Sequence, residues 1–129
     1  MEIKKPIKLL IIEDEAALLY ALNARLSLKN YQVLTASDRE RGYDIAVNER
    51  PDILIIDTII NNISSIDLIE KIKLDKNIKN IPIILLSSTE KDIDIKQLNQ
   101  VGAQKNIIKT KHTIEEMIEI LDVMIKDVV

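Results

Sequence analysis

Ile53-Leu54-Ile55-Ile56-Asp57 is an unbroken aliphatic run that ends on a carboxylate. A strand with one wet face alternates apolar and polar residues. A run that is apolar at every position reads as a strand covered on both faces, as in a parallel sheet. The pattern recurs on either side. Upstream, Leu9-Leu10-Ile11-Ile12 ends at Glu13-Asp14. Downstream, Ile83-Ile84-Leu85-Leu86 ends at Ser87-Ser88. Two weaker runs complete the series: Tyr31 to Ala36, half-buried in character, and Ile107-Ile108, ending at Lys109.

Helical periods fill the gaps. Leu18, Leu22 and Leu26 recur every four residues, with Leu19 beside them. Asp38 is placed to N-cap a stretch carrying Ile45 and Ala46. Ile66, Ile69 and Ile72 recur every three, and Ile95, Leu98 and Val101 lead to a stop at Gly102. Glu90-Lys91-Asp92 reads as the solvated start of that fourth helix. Thr113 and Glu116 form a capping box before the stripe Ile114, Met117, Ile118, Leu121 and Ile125.

Five strands alternating with five helices predict an α/β sandwich with right-handed crossovers. The fold expected is a flavodoxin-like, doubly wound (βα)5 unit over residues 1–129. Its parallel sheet runs in strand order 2-1-3-4-5, with helices on both faces. In such sheets ligands bind beyond the carboxyl ends of the strands, where the order reverses between the first and third. That edge receives Glu13 and Asp14 from the first strand and Asp57 from the third. Ser87 arrives from the fourth and Lys109 from the fifth.

Clustered carboxylates repel one another, and at least one pKa rises unless a cation intervenes. A hard divalent ion such as Mg2+ takes oxygen ligands of this kind. The chain has no Cys, and its one histidine, His112, follows the fifth strand as a loop residue before a cap. Zinc is therefore disfavoured. A carboxylate serves as a nucleophile toward a phosphoryl group, with the metal and Lys109 neutralising transition-state charge and Ser87 donating a hydrogen bond.

Composition narrows the function classes. The 129 residues carry 18 basic and 21 acidic side chains, a net charge of −3. That balance argues against direct nucleic-acid binding, which needs a basic face. There is no Phe or Trp, so Ile and Leu carry the core. No apolar run approaches the ~20 residues of a membrane helix. Met1 to Pro6 lacks a secretory signal's apolar stretch, so the expected compartment is the cytoplasm.

Leu9 to Glu15, Pro51 to Asp57, Ile81 to Ser88, and Gly102-Ala103 seven residues before Lys109 together resemble the receiver family of response regulators. The resemblance covers essentially the whole chain. It implies that Asp57 is the phosphoacceptor and that Asp14 and Glu13 hold Mg2+, Glu13 directly or through water. It further implies that the Ile59 backbone carbonyl supplies another ligand, and that Ser87 and Lys109 contact the phosphoryl group after transfer. The donor would be a phosphohistidine on a sensor histidine kinase or phosphotransfer protein. The output would be a downstream protein partner or a homodimer. It would engage the face of the fourth helix, fifth strand and fifth helix, which carries Lys96, Gln97, Lys105, Lys111 and Glu115. Such a protein catalyses only its own phosphorylation and dephosphorylation.

Four positions depart from the family pattern. Asn61 replaces a usual Pro, and Ser65 replaces a turn Gly, which implies strain if that turn needs positive φ. Thr110 follows Lys109 where Pro is usual. A trans bond with a shifted Lys109 loop, or a strained cis bond, is expected there. Asn106 replaces the aromatic whose ring reports phosphorylation. These departures motivate a second reading, a degenerate receiver acting as a phosphorylation-independent interaction module. A nucleotide-binding or phosphatase enzyme is disfavoured. Neither Gly42 nor Gly102 opens a helix after a strand, and Ile59 stands where a phosphatase of the haloacid dehalogenase type needs a second Asp.

Overall fold

A computed structural model describes residues 5–88, 95–100 and 102–129. Met1 to Lys4, Val101 and the expected helix start at Glu90-Lys91-Asp92 lie outside the described residues. The chain runs β1 (Lys8–Ile12), α1 (Ala16–Ser27), β2 (Gln32–Ala36), α2 (Arg39–Glu49) and β3 (Ile53–Asp57). A small pair follows, β4 (Ile59–Ile60) and β5 (Ile63–Ser64), then α3 (Ile66–Leu74) and β6 (Ile83–Ser87). The chain closes with α4 (Ile95–Gln100), β7 (Lys105–Ile108), a 3-10 turn (Lys109–Lys111) and α5 (Ile114–Val128).

The main sheet is parallel, in the order β2-β1-β3-β6-β7. This is the expected 2-1-3-4-5 order of a flavodoxin-like fold, with β6 and β7 as its fourth and fifth strands. Every residue of β3 and of β6 is buried. Side-chain alternation divides each central strand between two cores. Leu9, Ile11, Ile53, Ile55, Ile84 and Leu86 pack with Leu18, Leu22 and Leu26 of α1 and with Met117, Leu121 and Ile125 of α5. Leu10, Ile12, Leu54, Ile56, Ile83 and Leu85 pack with Ala46 of α2 and with Leu68, Ile69 and Ile72 of α3. Strands apolar at every position are thus strands that feed both layers.

The expected caps form. Asp38 accepts a hydrogen bond from the Arg41 amide, and Thr113 and Glu116 make a reciprocal box. Glu13 and Asp14 do not cap α1, whose N-cap position is Glu15 without a side-chain cap. Gly102 has φ +110, the conformation that follows a helix end.

Close approach of α2 to β1 requires Gly42. A Cβ built there lies 2.5 Å from Cδ1 of Ile12, a fully buried residue. The helix forgoes roughly 1 kcal/mol of propensity relative to Ala to permit this contact. Gly42→Val is expected to destabilise the protein by about 1–3 kcal/mol through overpacking. Urea unfolding should show a lower midpoint with an unchanged slope. An unchanged midpoint would refute the tight α2–β1 contact.

Candidate functional site

Parallel strands point their carboxyl ends the same way, so the residues just beyond Ile12, Asp57, Ser87 and Ile108 gather at one edge. Glu13 continues the ladder beyond β1, its amide bonding to the Ala36 carbonyl at 3.0 Å. Its side chain is fully buried, while Asp14 beside it is exposed. Asp57 ends β3 and is 2% exposed. Carboxylate oxygens of Glu13, Asp14 and Asp57 lie within 4.8 Å of one another.

Lys109 closes the cluster from the 3-10 turn after β7. Its Nζ donates to Asp57 Oδ2 at 2.6 Å and to Glu13 Oε1 at 2.8 Å. Glu15 is a more distant partner at 3.9 Å. Burial alone would lower the Lys109 pKa, but its bonds to Asp57 and Glu13 raise it above the ordinary value, so the ammonium stays charged. Glu13 is the group that yields. Burial first, and the neighbouring Asp57 second, lift its pKa from 4.5 to about 8, against the pull of Lys109.

Backbone donors fix the other oxygens. Asp57 Oδ1 accepts from the Ile59 amide at 3.0 Å, and Asp14 Oδ2 accepts from the Asn61 amide at 2.9 Å. The two-stranded hairpin β4–β5 makes the second bond possible. Its turn residues Asn61 and Asn62 have φ of 53° and 62°, the left-handed pair of a tight hairpin turn. Arg39 braces this hairpin by donating to the Ile60 carbonyl at 2.8 Å. No strand is expected from the sequence on either side of this turn. Paired asparagines between Ile59-Ile60 and Ile63-Ser64 were the available signal.

The structure resolves three of the departures. Ser65 has φ −84, so no left-handed strain arises there. Its buried hydroxyl donates to the Asp57 carbonyl at 2.5 Å and its amide to the Thr58 carbonyl at 2.9 Å, pinning the β3 end to α3. No peptide bond among the described residues is cis, so Lys109–Thr110 is trans. Lys109 still reaches both acids, while Thr110 Oγ1 donates to the Ser88 carbonyl at 2.8 Å. Asn106 accepts the Ser87 hydroxyl proton at its Oδ1, at 2.5 Å. Ser87 is thus fully buried at the edge but turned toward β7. Lys105, on the expected output face, is half-buried and pairs with Asp127 at 2.8 Å. Glu115 pairs with Arg25 of α1 at 2.6 Å, and His112 is half-buried rather than exposed.

The donor set suits a hard divalent cation. Among the described residues three carboxylates converge beside one Lys ammonium, and burial raises the pKa of the innermost acid, Glu13, to about 8.

Fold and edge chemistry together define the class. The chain belongs to the response regulator receiver domain family, whose model matches residues 9–122. It is thus a receiver domain of the two-component response regulators, a regulatory family. One relative is the phosphate regulon transcriptional regulatory protein PhoB of Pseudomonas aeruginosa, 31% identical over 102 residues. That match covers 78% of this chain but only 44% of PhoB. The chemotaxis response regulator CheY4 of Vibrio cholerae superimposes with a TM-score of 0.80 at 20% identity, covering 91% of this chain and 97% of CheY4. The receiver domain of the P. aeruginosa sensor histidine kinase PA1611 gives 0.78 at 21% identity, covering 94% and 98%. That crystal structure has a magnesium ion coordinated in its active-site cleft. Among the described residues of the present chain, no helix is long and apolar enough to cross a membrane.

Proposed function

We propose that residues 1–129 form one receiver domain that accepts a phosphoryl group on Asp57 from a phosphohistidine of a sensor histidine kinase or phosphotransfer protein. An Asp57 carboxylate oxygen forms the new bond to phosphorus. The bond from phosphorus to the imidazole nitrogen breaks, and its electron pair stays on the donor histidine. The observation that carries this reading is the bridge of Lys109 between Asp57 Oδ2 and Glu13 Oε1, with Asp14 in the same cluster. Lys109 supplies fixed positive charge beside the oxygens that gain negative charge. Glu13, Asp14, Asp57 and the Ile59 carbonyl would hold Mg2+, by analogy with the magnesium ion in the active-site cleft of the PA1611 receiver domain. A bound Mg2+ supplies charge neutralisation at the phosphoryl oxygens. Ser87 completes the site by donating to the transferred group. The domain modifies itself and no other substrate. It works in the cytoplasm and passes its state to a protein partner or a second copy through the α4, β7 and α5 face.

The commitment of the Ser87 proton to Asn106 favours one rival, a receiver that signals by binding alone. Beryllofluoride, a phosphoryl mimic, separates the two. In the presence of Mg2+ it should shift the backbone amide resonances of Asp57, Ile59 and Lys109 in the wild type. The shifts should vanish in Asp57→Asn and on chelation. A wild-type spectrum indifferent to saturating mimic and Mg2+ would favour the rival.

A further inference from the structure

Ser87 follows Leu86, the register partner of Asp57, and its hydroxyl donates to Asn106 of β7. β6 pairs with β7 so that Leu85 faces Asn106 and Ser87 faces Ile108. Asn106 therefore sits two residues back along the neighbouring strand, and its amide oxygen takes the Ser87 proton at 2.5 Å. A serine hydroxyl has one proton to donate. While Asn106 holds it, no phosphoryl oxygen on Asp57 receives it. The next residue is tethered from the same side, Thr110 Oγ1 donating to the Ser88 carbonyl. Ser87 is fully buried, so its proton has no bulk water as an alternative acceptor.

Resting on the phosphoacceptor reading above, we propose that Asn106 is a positioning residue that acts through Ser87. It holds the hydroxyl in an off-site orientation that the phosphoryl group must overcome. Phosphorylation then exchanges a neutral amide acceptor for an anionic one. Bonds to ionised acceptors are roughly twice as strong as neutral ones, so the exchange favours the anion. The amide released by Ser87 is half-buried and must find a new partner. Asn106 thereby tunes how readily the site accepts its anion without touching it. Removing the competing acceptor should ease the turn of Ser87 toward the phosphoryl group.

Beryllofluoride titrations at saturating Mg2+, followed by amide resonances, test this on wild type, Asn106→Ala, Ser87→Ala and the double variant. Asn106→Leu, close in shape but lacking an acceptor, guards against a cavity effect. Asn106→Ala and Asn106→Leu should each bind the mimic roughly fivefold more tightly, the worth of one net hydrogen bond. In the Ser87→Ala background the gain should disappear. Equal or weaker binding by both Asn106 variants overturns the latch, as does an undiminished gain without Ser87. If the wild type takes no beryllofluoride, the phosphoacceptor reading fails and the latch falls with it. Normal wild-type binding with unresponsive Asn106 variants sinks the latch alone.

Discussion

Lys109→Ala should slow phosphoryl uptake from a small acyl phosphate by roughly 100- to 1,000-fold, the loss typical of a fixed electrostatic donor. Three observations support an effect of that size. The ammonium is 2.6 Å from the Asp57 carboxylate, its side chain is only 12% exposed, and its pKa is raised, so it is charged throughout the physiological range. Salt and water therefore screen it poorly. A bound Mg2+ would add charge neutralisation without taking over the contact that Lys109 makes to Asp57. Lys109→Arg should recover only part of the rate, because a planar guanidinium cannot reproduce a point charge shared between Asp57 and Glu13. Single-turnover kinetics followed by intact mass give the comparison. A Lys109→Ala rate within threefold of wild type would remove Lys109 from the chemistry.

Glu13→Gln should trade function for stability. With its folded pKa near 8 and its ordinary value at 4.5, Glu13 keeps a proton in the folded chain that the unfolded chain has lost. Folded protein then binds more protons than unfolded protein between about pH 4.5 and about 8, so stability falls as pH rises through that window and levels off above it. Gln carries no proton to lose and should flatten the slope. In metal-free protein at pH 9 the variant should be more stable by on the order of a few kcal/mol. Mg2+ should reverse the ranking. On the proposed ligand set it would compete with the proton, stabilise the wild type more the tighter it binds, and find one ligand fewer in the variant. Thermal unfolding across pH, with and without Mg2+, reads both effects. A wild-type pH profile parallel to that of Glu13→Gln would show that Glu13 is not the strained group.

The sequence makes legible what is encoded over short distances along the chain. β3 and β6 announce themselves because they feed two cores, and five consecutive aliphatic residues encode that locally. Asp38 and Thr113 are equally local, since a cap bonds within its own first turn. Glu13, Asp14, Asp57 and Lys109 were visible because a parallel sheet sends every strand end to one edge. The β4–β5 hairpin was hidden by brevity: two residues per strand show no periodicity, and only Asn61-Asn62 marked the turn. The Ser65 bond to the Asp57 carbonyl was masked by a family habit of Gly, which directed attention to φ rather than to the hydroxyl. The Ser87–Asn106 bond depends on the β6–β7 register, which no stretch of either strand specifies alone. The Lys105–Asp127 pair is hidden in the same way, since Asp127 lies on α5, more than twenty residues along the chain.

The most direct measurement is the mass of the intact protein after incubation with Mg2+ and a small acyl phosphate. The wild type should gain the mass of one phosphoryl group, labile to hydroxylamine as an acyl phosphate is. Asp57→Asn should gain none, and chelation should abolish the gain in the wild type. An adduct of equal yield in Asp57→Asn, or one indifferent to removal of the divalent ion, would contradict the account.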